Sequence, residues 1–406
     1  MIPFRRPVLS THTRHALTCL ILPLLAACQP PLEKLHGLTM GSTWHISYVR
    51  EGKAPKPDAV QAEIQQLLDD MDRAVSTYRN DSDVARFNAA PAGTCMTMPP
   101  VVTRMLAPYA RQLHTQSDSA FDITLLPALD AWGFGPKAAA RKAKTVIQPG
   151  TRLDDSILTG KQPAAAPGNS PSGAPSGTPP STGTPAHAAA APRPPAAPVT
   201  TAGQPGKAEL AALRGQIGLQ HLRIDGDQLC KDAPISIEFN SIAAGAVIDQ
   251  IADRFQALGI DSYLIEVTGE LRAQGTKPDG SPWRIAIEAP IDGSTRQAQK
   301  ILSLNGQAVS TSGDYRQYRE ENGQRLSHIL DPRSLRPITH RLAAVTVLHR
   351  EAMQADGLST LLMVLGPEAG HAWAVQNEIA ALFVSRADGG FETKGTPAFE
   401  QLHGGK

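Results

Sequence analysis

Residues 300–311 read KILSLNGQAVST, in which the pair Asn305-Gly306 separates two short apolar runs. Asn-Gly is the pair that two-residue hairpin turns favour, because both of its positions need a positive φ. A second such pair, Asn322-Gly323, separates residues 315–318 from residues 326–330. Each pair therefore predicts two antiparallel strands joined by a tight turn.

Apolar residues at helical spacing predict helices elsewhere, and shorter apolar runs predict strands. The predicted helices cover residues 57–78, 100–116, 242–259, a segment beginning near 356, and 368–376. The other predicted strands cover residues 262–267, 283–289, 343–348, 380–385 and 390–393. Strands joined by tight turns, with helices packed on one side, make the predicted fold class α+β with mostly antiparallel sheets.

Composition divides the chain into one domain and an insertion. The 406 residues carry a formal net charge of +1, so charge gives no indication of a nucleic-acid partner. Residues 162–206 consist almost wholly of Pro, Ala, Gly, Ser and Thr. Because such a segment cannot bury enough apolar surface to fold, we predict a disordered insertion. Residues 38–161 and 207–402 on either side are predicted to form a single domain.

The N-terminus has the features of an export signal. Three arginines in the first 14 residues precede the apolar residues 16–25, and Leu25-Ala26-Ala27-Cys28 follows. This ending resembles the bacterial lipobox, so we predict a signal peptide over 1–27, lipid on Cys28, a tether over 28–37, and a membrane-anchored protein that faces the periplasm. Gln29 favours the outer membrane. An ordinary cleavable signal and an uncleaved anchor stay open.

Only two of the four cysteines, Cys95 and Cys230, lie outside this leader. An oxidising compartment permits a disulfide between them. A single pair so far apart in sequence does not predict one, however, and we expect no structural bridge. The chain has no Cys/His spacing typical of a metal site.

Asp356 and Thr360 are four residues apart in the stretch QADGLST, residues 354–360, which begins an apolar helix. This spacing places a carboxylate and a hydroxyl on one helix face. Two hard oxygen donors directed at one point suit a Mg²⁺ ion that also binds phosphates. In the alternative interpretation, Asp356 caps the helix and Thr360 only packs.

Six short motifs follow one another along the chain. They are MGSTW at 40–44, STYRNDS at 76–82 with FN at 87–88, AFDIT at 120–124 with WGFG at 132–135, IEFNSIAAG at 237–245, SGDYR at 312–316 with SHILDP at 327–332, and ADGLST at 355–360. In this order they resemble the motifs of the FAD:protein FMN transferase family (ApbE-type flavin transferases). The resemblance covers about residues 38–400, apart from the low-complexity insertion.

The resemblance implies an enzyme that moves an FMN unit from FAD to a Ser or Thr hydroxyl of a target protein and releases AMP. It implies a Mg²⁺ ion bound by Asp356, Thr360 and the backbone oxygen of Ser241. Asp356 and His328 are the candidate catalytic residues, since an unperturbed imidazole, with a pKa of about 6.5, can act as a general base. The alternative for His328 is a structural, hydrogen-bonded histidine.

The resemblance also assigns contacts with FAD. The corresponding positions are Met40, Tyr78, Ala120, Phe121, Asp122, Glu238, Ala244 and Leu330. Asp122 could bind a ribose or adenine donor, and the aromatic rings could stack on a flat ring system. The alternatives are a core position for Phe121, a turn residue for Asp122 and a gap-filling methionine for Met40.

Four positions depart from the family pattern. Glu238 replaces the usual aspartate, and Ala244 replaces a lysine or glutamate, so that one polar contact is lost. Thr268 and Leu335 stand where the family usually has glycine. A glycine at such a position often serves a positive φ or a close approach, so these two residues raise a question about the backbone.

Three functions follow from these observations. The first is an anchored transferase that flavinylates exported domains of respiratory or redox proteins, and the intact Asp356/Thr360 pair makes it our main interpretation. The second is an FAD pyrophosphatase, in which water replaces the target hydroxyl. The third is a non-catalytic FAD-binding lipoprotein, which the departures at Ala244 and Thr268 favour.

Overall fold

The computed structural model of the protein describes residues 30–137, 204–291, 297–315, 317–321 and 323–403. The predicted signal peptide, the predicted lipid site at Cys28 and nearly all of the predicted insertion lie outside these residues. Within them, no helix is both long enough and apolar enough to cross a membrane.

A wholly antiparallel sheet of eight strands forms the centre of the described structure. From one edge to the other, with strands numbered in chain order, it contains β1 (Leu32–Thr39), β2 (Ser42–Val49), β6 (Tyr263–Val267), β7 (Glu270–Gln274), β10 (Gln307–Gly313), β15 (Leu342–His349), β16 (Ala380–Ala387) and β17 (Gly390–Gly395). The predicted α+β class is confirmed. Because β1 begins at Leu32, residues 32–37 belong to the folded domain rather than to the predicted tether.

Smaller sheets surround this one. The strands β3 (Thr94–Thr97), β5 (Gln228–Lys231) and β4 (Leu222–Asp225) form a three-stranded sheet, and the two-stranded pairs are β8 (Trp283–Glu288) with β9 (Ala298–Leu304), β11 (Tyr318–Glu321) with β12 (Gln324–Ser327), and β13 (Leu330–Asp331) with β14 (Arg336–Pro337). The last two pairs carry the segment around His328.

Each predicted helix has a counterpart among the described residues, but the helix predicted to begin near residue 356 begins at Ala352, and the α-helical part of the one predicted over 100–116 begins at Ala107. The α-helices of the described residues are α1 (Pro57–Val75), α2 (Asp83–Ala89), α3 (Ala107–Gln116), α4 (Leu126–Ala131), α5 (Lys207–Leu213), α6 (Ala243–Ala257), α7 (Ala352–Leu365), α8 (Ala369–Gln376) and α9 (Pro397–His403). A π-helical segment, Val101–Leu106, precedes α3, and short 3₁₀ turns cover Arg214–Gln216 and Leu219–His221. In α1, Leu68 is buried and the neighbouring Leu67 is only partly buried.

The two faces of the large sheet pack against different partners. The helices α6 and α7 cover one face, as predicted, and the β8–β9 hairpin covers the other. Adjacent residues of a strand alternate between these cores, as Phe383 and Leu382 of β16 do. A third, smaller core lies around Trp132, Leu326 and Leu335.

The hairpin predicted at Asn305-Gly306 is wrong. Strand β9 pairs with β8, whereas β10 pairs with β7 and β15. Gly306 does have a positive φ of 75°, and the Asn305 Oδ1 atom accepts a hydrogen bond from the Gly275 amide at 2.9 Å. The turn therefore leads from the covering hairpin into the central sheet. The second predicted hairpin is confirmed, since β11 and β12 pair and Gly323 has a φ of 75°.

Cys95 and Cys230 form a disulfide, so our expectation of no bridge is wrong. The antiparallel register of β3 and β5 places the two cysteines directly opposite each other. Residues opposite each other in such a pair have Cβ atoms close enough for a disulfide. The sequence separation of 135 residues concealed this proximity.

Helix α1 closes the β1 edge of the large sheet. The Gln61 Nε2 atom donates a hydrogen bond to the His36 carbonyl at 2.8 Å, and the Gln65 Nε2 atom donates to the Leu38 carbonyl at 3.1 Å. Both carbonyls belong to the unpaired edge of β1, where a further strand would otherwise find acceptors.

Breaking the disulfide should destabilise the protein. We expect reduction, or Cys95→Ser combined with Cys230→Ser, to lower the free energy of unfolding by about 2–5 kcal/mol, because the unfolded chain gains freedom. Thermal unfolding with and without dithiothreitol measures this effect. The double variant is the control, since reductant should not change its melting temperature. A wild-type melting temperature unaffected by complete reduction would contradict the prediction.

Candidate active site

Asp356 lies one turn inside α7 and is only 4% exposed. Its Oδ2 atom accepts a hydrogen bond from the Gly245 amide at 3.1 Å, and no described residue donates to Oδ1. Burial raises the pKa of Asp356 well above its ordinary value and the nearby charge of Glu270 raises it further, whereas the Gly245 amide lowers it. Because α7 begins at Ala352, Asp356 does not cap the helix. A buried, partly satisfied carboxylate of this kind is stabilised by a cation.

The predicted ligand Ser241 lies just before α6, four residues before the Gly245 amide that bonds to Asp356. In a regular helix the Gly245 amide would bond to the Ser241 carbonyl, but here it donates to Asp356 instead. The Ser241 carbonyl therefore keeps its acceptor capacity. The close approach depends on glycine, since a Cβ on Gly245 would lie 2.3 Å from the Ala352 oxygen.

Thr360 lies one turn after Asp356, and a group of hydroxyls surrounds it. The Ser312 Oγ atom of β10 is 3.2 Å from Thr360 Oγ1 and 2.7 Å from Ser359 Oγ. Ser310 Oγ is 3.2 Å from the same Ser359 hydroxyl, which donates to the Asp356 carbonyl at 2.9 Å. The contact with Ser312 fixes the Thr360 hydroxyl one helical turn after Asp356.

The predicted metal ligands are thus one carboxylate, one hydroxyl and one carbonyl oxygen. No group of three or more His, Cys, Asp or Glu side chains suited to a metal occurs among the described residues. The predicted set does not require such a group, because hard cations accept neutral oxygen ligands and phosphate oxygens.

Tyr109 supports α7 from α3. Its hydroxyl donates to the Gln354 carbonyl at 3.2 Å, and its ring lies where a Cβ on Gly357 would be. Burial, followed by the charges of Asp356 and Glu351, raises the pKa of Tyr109 above its ordinary value, so the phenol stays a neutral donor.

Further carboxylates lie near this centre. Glu238 is 7% exposed, and its Oε2 atom accepts a hydrogen bond from the Asn240 amide at 2.7 Å. Burial raises the pKa of Glu238 to about 7. The hydrogen bond from the Asn240 amide lowers this pKa, and the charge of Asp122 raises it further. Asp122 Oδ1 accepts hydrogen bonds from the Thr124 amide and hydroxyl at 2.8 and 2.6 Å. Oδ1 of Asp122 thus makes the hydrogen bonds expected of a turn residue. The other oxygen, Oδ2, lies 3.5 Å from His114 Nδ1.

The predicted flavin positions differ in exposure. Tyr78 is 62% exposed, and its pKa is raised by desolvation of the phenol and by the charges of Glu238 and Asp130. An exposed ring beside these acids is available for stacking. Phe121 is buried in the main core, in agreement with its alternative interpretation.

Met40 lies in the two-residue turn between β1 and β2, with a φ of 47°, and packs partly against the main core. Ala120 and Ala244 are buried, and Leu330 belongs to the third core. These positions can offer backbone and methyl contacts only at the edge of the site. The FAD contacts assigned to Met40, Ala120, Ala244 and Leu330 stay predictions.

His328 is half-buried after β12. Its Nδ1 atom is 2.8 Å from the Gln317 carbonyl, and its ring meets the edge of Phe134. Since a carbonyl only accepts, Nδ1 carries the proton and Nε2 holds the lone pair. Burial lowers the pKa of His328, against the effects of Gln317 and Asp314, so the neutral form is favoured. The ring is thus both structurally held and able to accept a proton.

Thr268 and Leu335, which replace glycines of the family pattern, both have a positive φ. Their φ values are 56° and 58°, in the left-handed region that favours glycine. A hydrogen bond from Thr268 Oγ1 to Glu270 Oε2, at 2.7 Å, holds the first turn. The Leu335 carbonyl accepts from Trp132 Nε1 at 2.7 Å. Both residues therefore adopt the backbone conformation expected of glycine, and a hydrogen bond holds each of them in place.

Asn88 has a structural role that the motifs did not predict, although it lies in one of them. Its Nδ2 and Oδ1 atoms bond to the carbonyl and amide of Ile237, both at 2.8 Å, as a neighbouring strand would. The next amide, Glu238 N, donates to the Ile123 carbonyl at 2.8 Å. Asn88 thereby fixes the backbone that carries Glu238. Pairing with both backbone groups of one residue requires a side chain that donates and accepts hydrogen bonds, as an amide does. The asparagine in this motif was therefore the only indication of such a role.

Comparison with known proteins gives the same assignment as the motifs. A sequence model described as the ApbE family matches residues 40–157 and 192–383. The chain belongs to the ApbE family. It is therefore an enzyme of the transferase class, as the resemblance implied.

Individual ApbE relatives match over nearly the whole chain. The "FAD:protein FMN transferase" of Vibrio cholerae is 34% identical over 383 residues, which is 93% of this chain and 96% of the relative. The crystal structure of the Pseudomonas stutzeri flavinyl transferase ApbE, in its apo form, is 44% identical, covers 93% of this chain and 98% of that chain, and has a TM-score of 0.71. The structure of the Vibrio cholerae flavin transferase ApbE is 32% identical, covers 92% and 100%, and has a TM-score of 0.69.

The raised pKa of Glu238 predicts a dependence of stability on pH. Its folded-state value of about 7 exceeds the ordinary 4.5, so folding favours the protonated form. This contribution is complete below pH 4.5 and is lost as the pH rises through 7. We expect Glu238→Gln to stabilise the ligand-free protein at alkaline pH by up to about 3 kcal/mol, and to have little effect in acid.

Melting temperatures at pH values of about 5 and 8, on either side of the folded-state pKa, measure this difference. The exposed Glu209→Gln in α5 serves as the control and should leave both values unchanged. Equal effects of Glu238→Gln at the two pH values would argue against a raised pKa.

Proposed function

We propose that this protein transfers the FMN moiety of FAD to a Ser or Thr hydroxyl of a target protein, with Mg²⁺ and with release of AMP. The observation that carries the proposal is the buried Asp356 carboxylate, whose Oδ1 atom has no donor among the described residues. The relatives named above as FAD:protein FMN transferases support it.

The residues present fit a magnesium ion. Asp356 Oδ1, the Ser241 carbonyl and the Thr360 hydroxyl are hard oxygen donors on or next to α6 and α7, two helices that the Gly245–Asp356 hydrogen bond links. The carboxylate is surrounded by further negative charge and lacks a described cationic partner. Bound there, Mg²⁺ would neutralise diphosphate charge and stabilise the departing AMP oxygen.

The reaction needs positioning more than a protein nucleophile. The acceptor oxygen bonds to the phosphorus of the FMN half, and the bond from that phosphorus to the bridging oxygen breaks, so that AMP leaves with the electron pair. Ser312, which also bonds to Ser359, contacts the Thr360 hydroxyl, and in the proposed reaction this hydroxyl faces the diphosphate. Tyr78 is exposed for stacking on a flat ring of the dinucleotide.

His328 is proposed to remove the proton of the incoming hydroxyl. Its Nδ1–H donates to the Gln317 carbonyl, which leaves the Nε2 lone pair as the acceptor. The lowered pKa keeps this nitrogen unprotonated at neutral pH. Phe134 restricts rotation of the ring from the side.

We also propose that the protein works outside the cytoplasm, as a lipoprotein anchored through Cys28 that acts on exported acceptor domains of respiratory or redox proteins. The Cys95–Cys230 disulfide supports this placement, because such bonds persist in oxidising compartments. Incorporation of labelled palmitate into wild-type protein but not into Cys28→Ser tests the anchor.

Asp356→Asn should abolish transfer. It keeps the shape of the side chain but removes the charge that holds the cation, so we expect a loss of at least about 10³-fold in rate. Thr360→Val should cost roughly 10–100-fold. In-gel flavin fluorescence of an acceptor domain, after incubation with FAD and Mg²⁺, measures the transfer. Thr393→Val, an exposed threonine on β17, is the matched control.

Mass spectrometry of the same mixtures separates the alternatives. A flavinylated acceptor peptide is the result expected for a transferase. Free FMN and AMP with an unlabelled acceptor would indicate a pyrophosphatase instead. Intact FAD that stays bound in the presence of Mg²⁺ would indicate a non-catalytic flavin-binding protein.

The pH dependence of transfer should report His328. Because burial lowers its pKa below 6.5, we expect the rate to fall only on the acid side of that value and to stay level near neutrality. His328→Gln should slow transfer by about 10²–10⁴-fold and remove the acid limb. His221→Gln, which alters a histidine paired with Asp232 outside the site, should leave the profile unchanged. An acid limb that persists in His328→Gln would assign the proton transfer elsewhere.

A further inference from the structure

The first turn of α7 lacks a cap from its own chain neighbourhood. Glu351 occupies the N-cap position, and its side chain makes no capping hydrogen bond. The first amides of any helix have no partner within the helix and need an acceptor from outside. The anchoring of this first turn also affects the site, because Asp356 lies one turn further along α7.

A side chain of another helix supplies the missing acceptors. Asp249 of α6 accepts a hydrogen bond from the Ala352 amide at Oδ1, at 2.8 Å, and one from the Met353 amide at Oδ2, at 2.9 Å. The side chain is 7% exposed, so water does not compete for these bonds. Both carboxylate oxygens of Asp249 are therefore bound to the start of α7.

A third element completes the arrangement. Arg272 of β7 donates a hydrogen bond from Nη1 to Asp249 Oδ1 and forms an ion pair with it. Arg272 lies two residues after Glu270, whose charge acts on Asp356. Asp249 consequently joins α6, α7 and β7 at one buried point.

The position of Asp249 on α6 links it to the other site atoms. Ser241, Gly245 and Asp249 follow at intervals of four residues, so the last two lie on one helix face. Gly245 contacts the same turn of α7 and donates to Asp356. A rotation or shift of α7 against α6 would change the distance from the Ser241 carbonyl to the Asp356 carboxylate.

We propose that Asp249 is a positioning residue for the metal and diphosphate site, which fixes α7 against α6 so that Asp356, Thr360 and the Ser241 carbonyl converge. The inference rests on the proposed function. Asp249 itself touches neither substrate nor cation in this proposal, because both of its oxygens are already occupied.

Asp249→Asn tests the proposal with little change in shape. The amide can accept only one of the two α7 hydrogen bonds, since its nitrogen is a donor. We expect the dissociation constant of Mn²⁺, used as a paramagnetic probe of the site and measured by electron paramagnetic resonance, to rise at least about tenfold. High Mg²⁺ concentration should restore much of the transfer rate, because the ligands themselves remain.

A matched variant separates positioning from general stability. Thr396 is fully buried, accepts the Ala381 amide at 3.0 Å and lies at the start of α9, beside the opposite edge of the sheet. Thr396→Val also removes a buried backbone hydrogen bond and should lower the melting temperature, but it should leave Mn²⁺ affinity unchanged. Equal Mn²⁺ affinity in wild type and Asp249→Asn would overturn the proposal.

Arg272→Gln provides a second route if Asp249→Asn does not fold. This variant removes the ion pair that holds the Asp249 carboxylate but keeps both of its oxygens as acceptors for α7. We therefore expect a smaller loss of Mn²⁺ affinity, about threefold. Unchanged affinity in this variant would likewise overturn the proposal. A wild-type protein that binds no Mn²⁺ would count against the proposed function, whereas wild-type binding that Asp249 variants retain would remove only the positioning role.

Discussion

The close crossing of α6 and α7 at Gly245 is the contact on which the rest of the site depends. Only a residue without a Cβ allows the two backbones to approach this closely, with Ala352 directly opposite. The approach lets the Gly245 amide reach Asp356 and releases the Ser241 carbonyl from helix hydrogen bonding. A single packing constraint thus supplies the carboxylate and the carbonyl oxygen that we propose as metal ligands.

The electrostatics of the site follow from its burial. Asp356 and Glu238 are carboxylates with little access to water; the charge of Glu238 adds to the raised pKa of Asp356, and the charge of Asp122 adds to that of Glu238. These acid groups lie close together at an electrostatic cost, which the proposed cation would reduce. Neutral donors, such as Tyr109 and the serine hydroxyls around Thr360, set the geometry without adding charge.

Local patterns predicted much of this structure. Helical periodicity located α1 and α7, and the spacing of Asp356 and Thr360 placed both on one helix face. Contacts between distant segments were not predictable, because one sequence does not show which strands become neighbours. The Cys95–Cys230 bridge depends on the register of two strands, and the turn at Asn305 joins different sheets. Asn-Gly fixes the local backbone, but the pairing of its flanks is decided by tertiary packing.

Gln61 and Gln65 of α1 bond to two outward carbonyls of β1, those of His36 and Leu38. The proposed transfer to a target protein would bring extended polypeptide segments to this border of the molecule. A segment that added to this part of β1 through its main chain would first have to displace the two glutamine side chains.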